Sequence, residues 1–504
     1  MKSAIRLSPE DNLLVALEEL FSNQTIEEEN VTCVEGIPAG HKLAVEDIPA
    51  HAPLIKYGQI IGFASRHIHP GEHVHVHNVS LKGFRREIHL NENTSSTESP
   101  VAETRRFLGF VREDGKIGTR NYIGVLATAN CATFAARLIA RSFPPDQLAE
   151  YKNVDGVVAL GHGYGCGTAS NNLGFVYLQR TLAGYARHPN FAGVLIVGLG
   201  CEKNQIESLL SNYDLPTDPQ LQAVNIQDLG GTAATVRRGH EVISSMLRQA
   251  NQYTRQPVSA RHLVLALECG GSDAYSGITA NPALGVAVDR LVRQGGTAIL
   301  SETPEIYGAE HLLTRRAVNR TVGLKLLERI KWWEEYTAHY QITLNNNPSP
   351  GNLAGGLTTI LEKSLGAVSK GGGTNLIEVY GYAEPVVDRG LVFMDTPGYD
   401  PVSVTGMVAG GANAVCFTTG RGSVSGGKPV PVLKLASNQK LFEKMSDDMD
   451  LNCGLILEAG SRVEQMGDAI FDLVLETASG RPTKSEMMGF GEDEFVPWQI
   501  GAVL

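Results

Sequence analysis

The chain has 504 residues, of which 42% are hydrophobic and 19% charged, and its formal net charge is −11. This length exceeds one ordinary core and predicts two or three domains, while the balance of apolar and charged residues excludes the disordered and fibrous classes. The acidic charge, without any long Lys/Arg run, argues against a nucleic-acid partner, and no stretch approaches the roughly 18 apolar residues a membrane helix needs.

Residues 1–90 carry short apolar runs broken by Gly and Pro, which predicts a compact, mainly β module. Within it, RHIHPGEHVHVHN holds His67, His69, His73, His75 and His77. On a strand, His73, His75 and His77 would share one face, and three aligned imidazoles suit a metal or a carboxylate. An exposed strand with adventitious histidines is the plainer alternative. Residues 91–103, NENTSSTESPVAE, are polar and aperiodic and read as a linker.

Beyond it, IGVLAT, GVVAL, GVLIVG, LVLAL and TAILS recur as continuous apolar runs with helix-length segments between them. That pattern predicts a mostly parallel sheet covered on both faces, hence a central α/β domain over 104–390. GLVFMDTP and NAVCFTTG predict a C-terminal α/β domain over 391–504.

The ends of these strands hold the candidate chemistry, because ligands of open parallel sheets bind outside the carboxyl ends. IGVLATANC ends at Cys131. GVVALGHGYGC passes His162 and reaches Cys166, and GVLIVGLGC ends at Cys201, followed by Glu202 and Lys203. LVLALECGGSD carries Glu268, Cys269 and Asp273; TAILSETPE carries Glu302 and Glu305. The expectation is that Cys131, Cys166, Cys201 and Cys269 meet at one site, although each alone could be a small buried apolar group. That plainer role is preferred for Cys33, Cys416 and Cys453. The seven cysteines are odd in number and widely spaced. The first residues show no signal-peptide run, so reduced thiols and a cytoplasmic location are expected.

Loops add Arg120 and Asn121 in DGKIGTRN, Asn352 in NPSPGN and Arg421 in TTGRGS. Arginine in a Gly-rich turn suits bidentate carboxylate recognition. GHGYGCG lacks the GxGxxG spacing of a dinucleotide loop, and in GSVSGGKP Pro429 stands where a phosphate loop needs Ser or Thr. A nicotinamide oxidoreductase and a nucleotide hydrolase therefore rank low.

In order, GFVREDGKIGTRN, GHGYGCG, GLGCEKNQ, ECGGSDAYSGITANPALG, NPSPGNLAGGLTT and TTGRGS resemble the altronate and galactarate dehydratase family over nearly the whole chain. The first module looks like a SAF-type domain. The resemblance implies dehydration of a hexonate or hexarate in a cytoplasmic sugar-acid pathway, with Fe2+ as cofactor, Mn2+ or an iron–sulfur cluster being alternatives. GEHVHVHN looks like the altronate branch, whereas NVDGVV, VSKGG and ETASGRPTK lean towards galactarate. The favoured reaction converts D-altronate to 2-dehydro-3-deoxy-D-gluconate. The alternatives are galactarate giving 5-dehydro-4-deoxy-D-glucarate, and a sugar-acid-binding protein without catalysis.

Such a reaction removes the proton α to a carboxylate and expels the C3 hydroxyl, so it needs a base, an acid and positive charge near the enediolate. His162 is the expected base, with Lys203 as a second candidate. Glu268 or Glu302 would donate to the leaving hydroxyl. His75, His77, Arg120, Asn121, Asp273, Asn352 and Arg421 are expected around the substrate, and the four strand-end cysteines around the metal. The expected partner is a small sugar acid, with neither nucleic acid nor membrane, and a homo-oligomer is compatible with the same reading.

Overall fold

The computed structural model describes residues 2–81, 87–92, 94 and 104–502. The N-terminal piece is the expected β module. Strands Ala4–Ile5, Leu13–Ala16, Lys42–Ala44 and His73–Val74 form a four-stranded antiparallel sheet, and Pro53–Lys56, Gln59–Ala64 and Val79–Ser80 form a three-stranded one. The module's core residues Leu14, Leu20, Ile37 and Leu43 are fully buried. Two buried lysines tie the module to the rest of the chain. Lys42 and Lys56 meet the Glu362 carboxylate at 2.9 and 2.8 Å. Burial alone would raise the Glu362 pKa, but the two ammonium groups outweigh it and hold it at about 2.

A second unit is built on four parallel strands in the order Gly156–Leu160, Tyr122–Ala127, Phe191–Gly198, Leu221–Asn225. Helices Asn130–Arg141 and Thr232–Ala250 pack on one face, and Leu173–Ala186 on the other. The third unit is a seven-stranded parallel sheet in the order Leu376–Tyr380, Gly390–Met394, Thr297–Leu300, Val264–Cys269, Ala414–Thr419, Val432–Ala436, Leu451–Asn452.

The boundary expected at Gly390 therefore falls inside one sheet. Gly390 opens a strand that is hydrogen-bonded to Thr297–Leu300 on one side and to Leu376–Tyr380 on the other. Fully apolar strands need neighbours and cover on both faces, so these runs stay together. The change of sheet comes earlier, between Leu221–Asn225 and Val264–Cys269. Most of the linker expected at 91–103 lies outside the described residues; Asn91 N–H donates to the Thr314 carbonyl at 3.0 Å.

Helices Leu173–Ala186 and Asp400–Ala409 join the second and third units. Gly184 allows their close approach, since a Cβ there would lie 2.2 Å from the Ala409 carbonyl oxygen. His188 follows with a 2.9 Å bond to the Ala412 carbonyl, so the two helices run the same way. Each helix leaves the carboxyl end of its own sheet, and both sheets consequently turn that edge to the same side of the molecule.

Candidate functional site

Three of the strand-end cysteines come together. Cys131, in the first turn of helix Asn130–Arg141, and Cys166 and Cys201, on loops, are all exposed, and these three segments are bonded to one another. Asn130 N–H donates to the Tyr164 carbonyl at 3.0 Å, Lys203 N–H to the Cys166 carbonyl at 3.3 Å, and Asn204 N–H to the Gly165 carbonyl at 3.1 Å. Glu202 organises the third loop, accepting from Leu199 N–H at 2.9 Å and Gly200 N–H at 2.7 Å as well as from the Thr128 hydroxyl. The Cys131 sulfur, with Cys201 and Glu202, pushes the Cys166 thiol pKa up. Such an accumulation of sulfur and negative charge suits a soft or borderline cation. The donor set fits iron. Lys203 stands exposed beside it.

Cys269 belongs elsewhere. It is buried at the carboxyl end of a strand in the other sheet, with its Sγ 3.8 Å from Glu302 and 3.6 Å from Glu305. Burial and the surrounding carboxylates push its thiol up to about 12. Lys370 lies 3.7 Å from Glu302, and Lys363 lies 2.6 Å from Glu305. Burial would raise the Glu305 pKa, yet Lys363 pulls it below the usual carboxylate range.

Glu268 and Glu302 are fully buried, with carboxylate oxygens within 4.8 Å of each other. Burial lifts Glu268 to about 8, and burial together with Glu268 lifts Glu302 well above its ordinary value. Both shifts favour the protonated form, because two carboxyl groups in one dry site repel each other when ionised. Glu268 Oε2 and Glu302 Oε1 have no hydrogen-bond partner among the described residues. Glu302 also sits in the left-handed region at φ 65°, a strained backbone of the kind that gathers at functional positions. Asp400, raised by burial to about 6, brings a carboxylate oxygen within 4.8 Å of both.

Several expected site residues are committed to the scaffold instead. His162 Nε2 bonds the Ala127 carbonyl at 3.0 Å and Nδ1 accepts from Tyr164 N–H at 3.2 Å. Both ring nitrogens are used, so neither is free to take a substrate proton. Arg120 grips Glu486 at 2.6 Å and 2.8 Å and donates to the Thr477 carbonyl; Asn121 bonds Arg112, Asn153 and Ala250. Both precede the strand Tyr122–Ala127 and so lie at the amino edge, opposite the thiols. Asp273 accepts from Ser276, Ser437 and Asn438, and Asn352 closes a capping box with Ser349. These two hold the loops of the site rather than present free groups. Arg421 differs: its side chain is exposed and makes no hydrogen bond among the described residues.

The strand expected to align His73, His75 and His77 ends at Val74, so His75 and His77 stand on the turn that follows and the grouping is different. His75 groups with His73 and His41, while His77 is exposed at the rim with its ring 5.3 Å from His73. Gly355 separates the group from Arg421: His41 Nε2 is 3.4 Å from the Ala354 carbonyl, and a Cβ on Gly355 would lie 3.3 Å from Arg421 Cδ. The sequence offered no signal for His41, which reaches the others only through strand pairing. Lys370, Lys363 and Asp400 also escaped notice, since no motif marks them.

The buried histidines make an acid-stability prediction. Burial lowers the pKa of His162 and of His188 from 6.5 to about 4. Both therefore bind protons more readily unfolded than folded. Their contribution to stability is fully present above pH 6.5 and is lost as the pH falls from 6.5 towards 4. Each shift corresponds to roughly 3 kcal/mol. Urea melts of His188→Gln should show a shallower loss of stability than the parent across that interval; parallel curves would mean that His188 is not held neutral.

Comparison with known proteins accounts for all three units. A profile described as "Altronate/galactarate dehydratase SAF domain" matches residues 2–82. "D-galactarate dehydratase/Altronate hydrolase, second domain" matches residues 109–251, and "D-galactarate/Altronate dehydratase, C-terminal" matches residues 260–503. Altronate dehydratase of Bacillus subtilis (strain 168) is 34% identical over 496 residues, covering 98% of each chain. Altronate dehydratase of Escherichia coli (strain K12) is 33% identical over 493 residues, covering 97% of each. Galactarate dehydratase (L-threo-forming) of the same organism is 39% identical over 456 residues, covering 89% of this chain and 87% of its own. With like units in like order and relatives matching end to end, the chain belongs to the altronate/galactarate dehydratase family.

Proposed function

We propose that this member of a sugar-acid dehydratase family acts on D-altronate, yielding 2-dehydro-3-deoxy-D-gluconate and water. The observation that carries the reaction is the buried Glu268–Glu302 carboxyl pair, beside Lys370. With one member ionised, that carboxylate takes the C2 proton, and the member still protonated supplies the proton with which the C3 hydroxyl leaves as water. The enol so formed ketonises with a solvent proton at C3. Iron held by Cys131, Cys166 and Cys201 would supply Lewis-acid stabilisation of the developing enediolate, a role Mn2+ or an iron–sulfur cluster would equally fill. Lys203 adds fixed positive charge beside those thiols.

The choice of altronate rests on charge. At the edge of the seven-stranded sheet, Lys363 and Lys370 are engaged by Glu305 and Glu302, and Lys42 and Lys56 by Glu362. Arg421 is exposed there with free donors among the described residues, which suits a substrate carboxylate. Galactarate carries a second at C6 that would want its own partner. Specificity constants for the two acids, measured side by side at one pH with the 2-keto acid trapped as its semicarbazone, should favour altronate. A higher value for galactarate would reverse the assignment.

A further inference from the structure

We propose that His41, His73 and His75 form a second metal centre, separate from the thiols, which binds a divalent transition-metal ion of the zinc or ferrous class. One ligand nitrogen from each ring lies within 4.8 Å of the other two, the spacing of a preformed three-imidazole site. His41 Nδ1 and His73 Nε2 are 3.0 Å apart, and the His41 and His75 rings are 4.5 Å apart between centroids.

Two further observations point to a cation. His41 places its other nitrogen, Nε2, at the Ala354 carbonyl, 3.4 Å away. A proton donated there fixes the tautomer and turns the Nδ1 lone pair towards His73, which is how a backbone carbonyl orients a metal-bound imidazole. His75 Nδ1 is buried without a hydrogen-bond partner among the described residues, a cost that a bound ion would remove. The nearest ammonium, Lys42, is bound by Glu362, which limits its repulsion of an ion.

The ligands come from strands Lys42–Ala44 and His73–Val74 and the residues flanking them, which pair antiparallel through Leu43 and His73. An ion there locks two strands of the N-terminal module together and fixes His41 against the Ala354–Gly356 loop, across which Arg421 stands. It is thus a positioning centre for the module and does not depend on the dehydratase reading.

Full-length protein stripped with a chelator would be titrated with Co2+, and bound metal counted after desalting. Wild type should retain one equivalent more than His73→Ala and than His75→Gln, with the weak visible bands of nitrogen ligation. That equivalent should also raise the melting temperature of wild type but not of the two histidine variants. Cys166→Ser should keep the equivalent, which separates it from any ion on the thiols. If both histidine variants fold, as judged by circular dichroism, and hold as much Co2+ as wild type, the centre does not exist. The same follows if the only Co2+ retained shows the intense near-ultraviolet absorption of thiolate ligation.

Discussion

Cys166→Ser should purify without its iron and turn over altronate about a thousandfold more slowly than wild type. Serine keeps the side-chain size, but its hydroxyl stays protonated at neutral pH and is a poor ligand for a soft site. A Lewis-acid ion supplies several kcal/mol of stabilisation to a developing enediolate, and each 1.36 kcal/mol is about tenfold in rate. Cys131→Ser and Cys201→Ser should behave alike, since the helix start and the loop that carry them converge with the loop of Cys166. Cys269→Ser is the instructive contrast. Its thiol is surrounded by Glu302, Glu305 and Lys370 rather than by other sulfurs, so iron content should be unchanged and any loss should lie in turnover or stability. Iron analysis of the four anaerobically purified variants distinguishes this arrangement from a four-cysteine site, in which all four would lose metal together.

The second large effect is expected at Glu302. Glu302→Gln preserves the shape of the side chain and removes its ability to ionise. The pair then can no longer offer an acid and a base at once, and kcat should fall by about 100- to 10,000-fold, the usual worth of general acid–base catalysis. Because the change also relieves the repulsion between two buried carboxyl groups, the variant should be no less stable than wild type towards urea. Glu268→Gln should lower kcat similarly. A single-variant rate within a few-fold of wild type, with native stability, would mean that the pair serves the fold and that the proton passes elsewhere.

Much of this architecture was legible because it rests on period and on strand ends. Continuous apolar runs such as GVLIVG announce buried parallel strands, and the residues that follow them must lie at a carboxyl edge. Cys131, Cys166 and Cys201 were accessible to that reasoning. Cys269 obeys the same rule, but the rule does not say to which sheet a strand belongs, and Val264–Cys269 pairs with Ala414–Thr419 and Thr297–Leu300 rather than with the second unit. Arg120 and Asn121 carried a usable warning: they stand before their strand, at the edge where ligands do not bind. His162 shows the opposite limit. It follows a strand correctly, yet only coordinates reveal that Ala127 and Tyr164 occupy both its nitrogens. His41 was out of reach, because its place beside His73 depends on pairing between strands some thirty residues apart in sequence.

The central claim, that this chain eliminates water from a sugar acid, is tested most directly by product analysis in heavy water. Anaerobically purified, iron-supplied protein would be incubated with D-altronate in D2O and the product followed by proton NMR. Abstraction at C2, loss of the C3 hydroxyl and ketonisation of the enol predict 2-dehydro-3-deoxy-D-gluconate carrying one deuterium at C3. Altronate that is bound but recovered unchanged, with no 2-keto acid from galactarate either, would contradict the account and leave a sugar-acid-binding protein in its place.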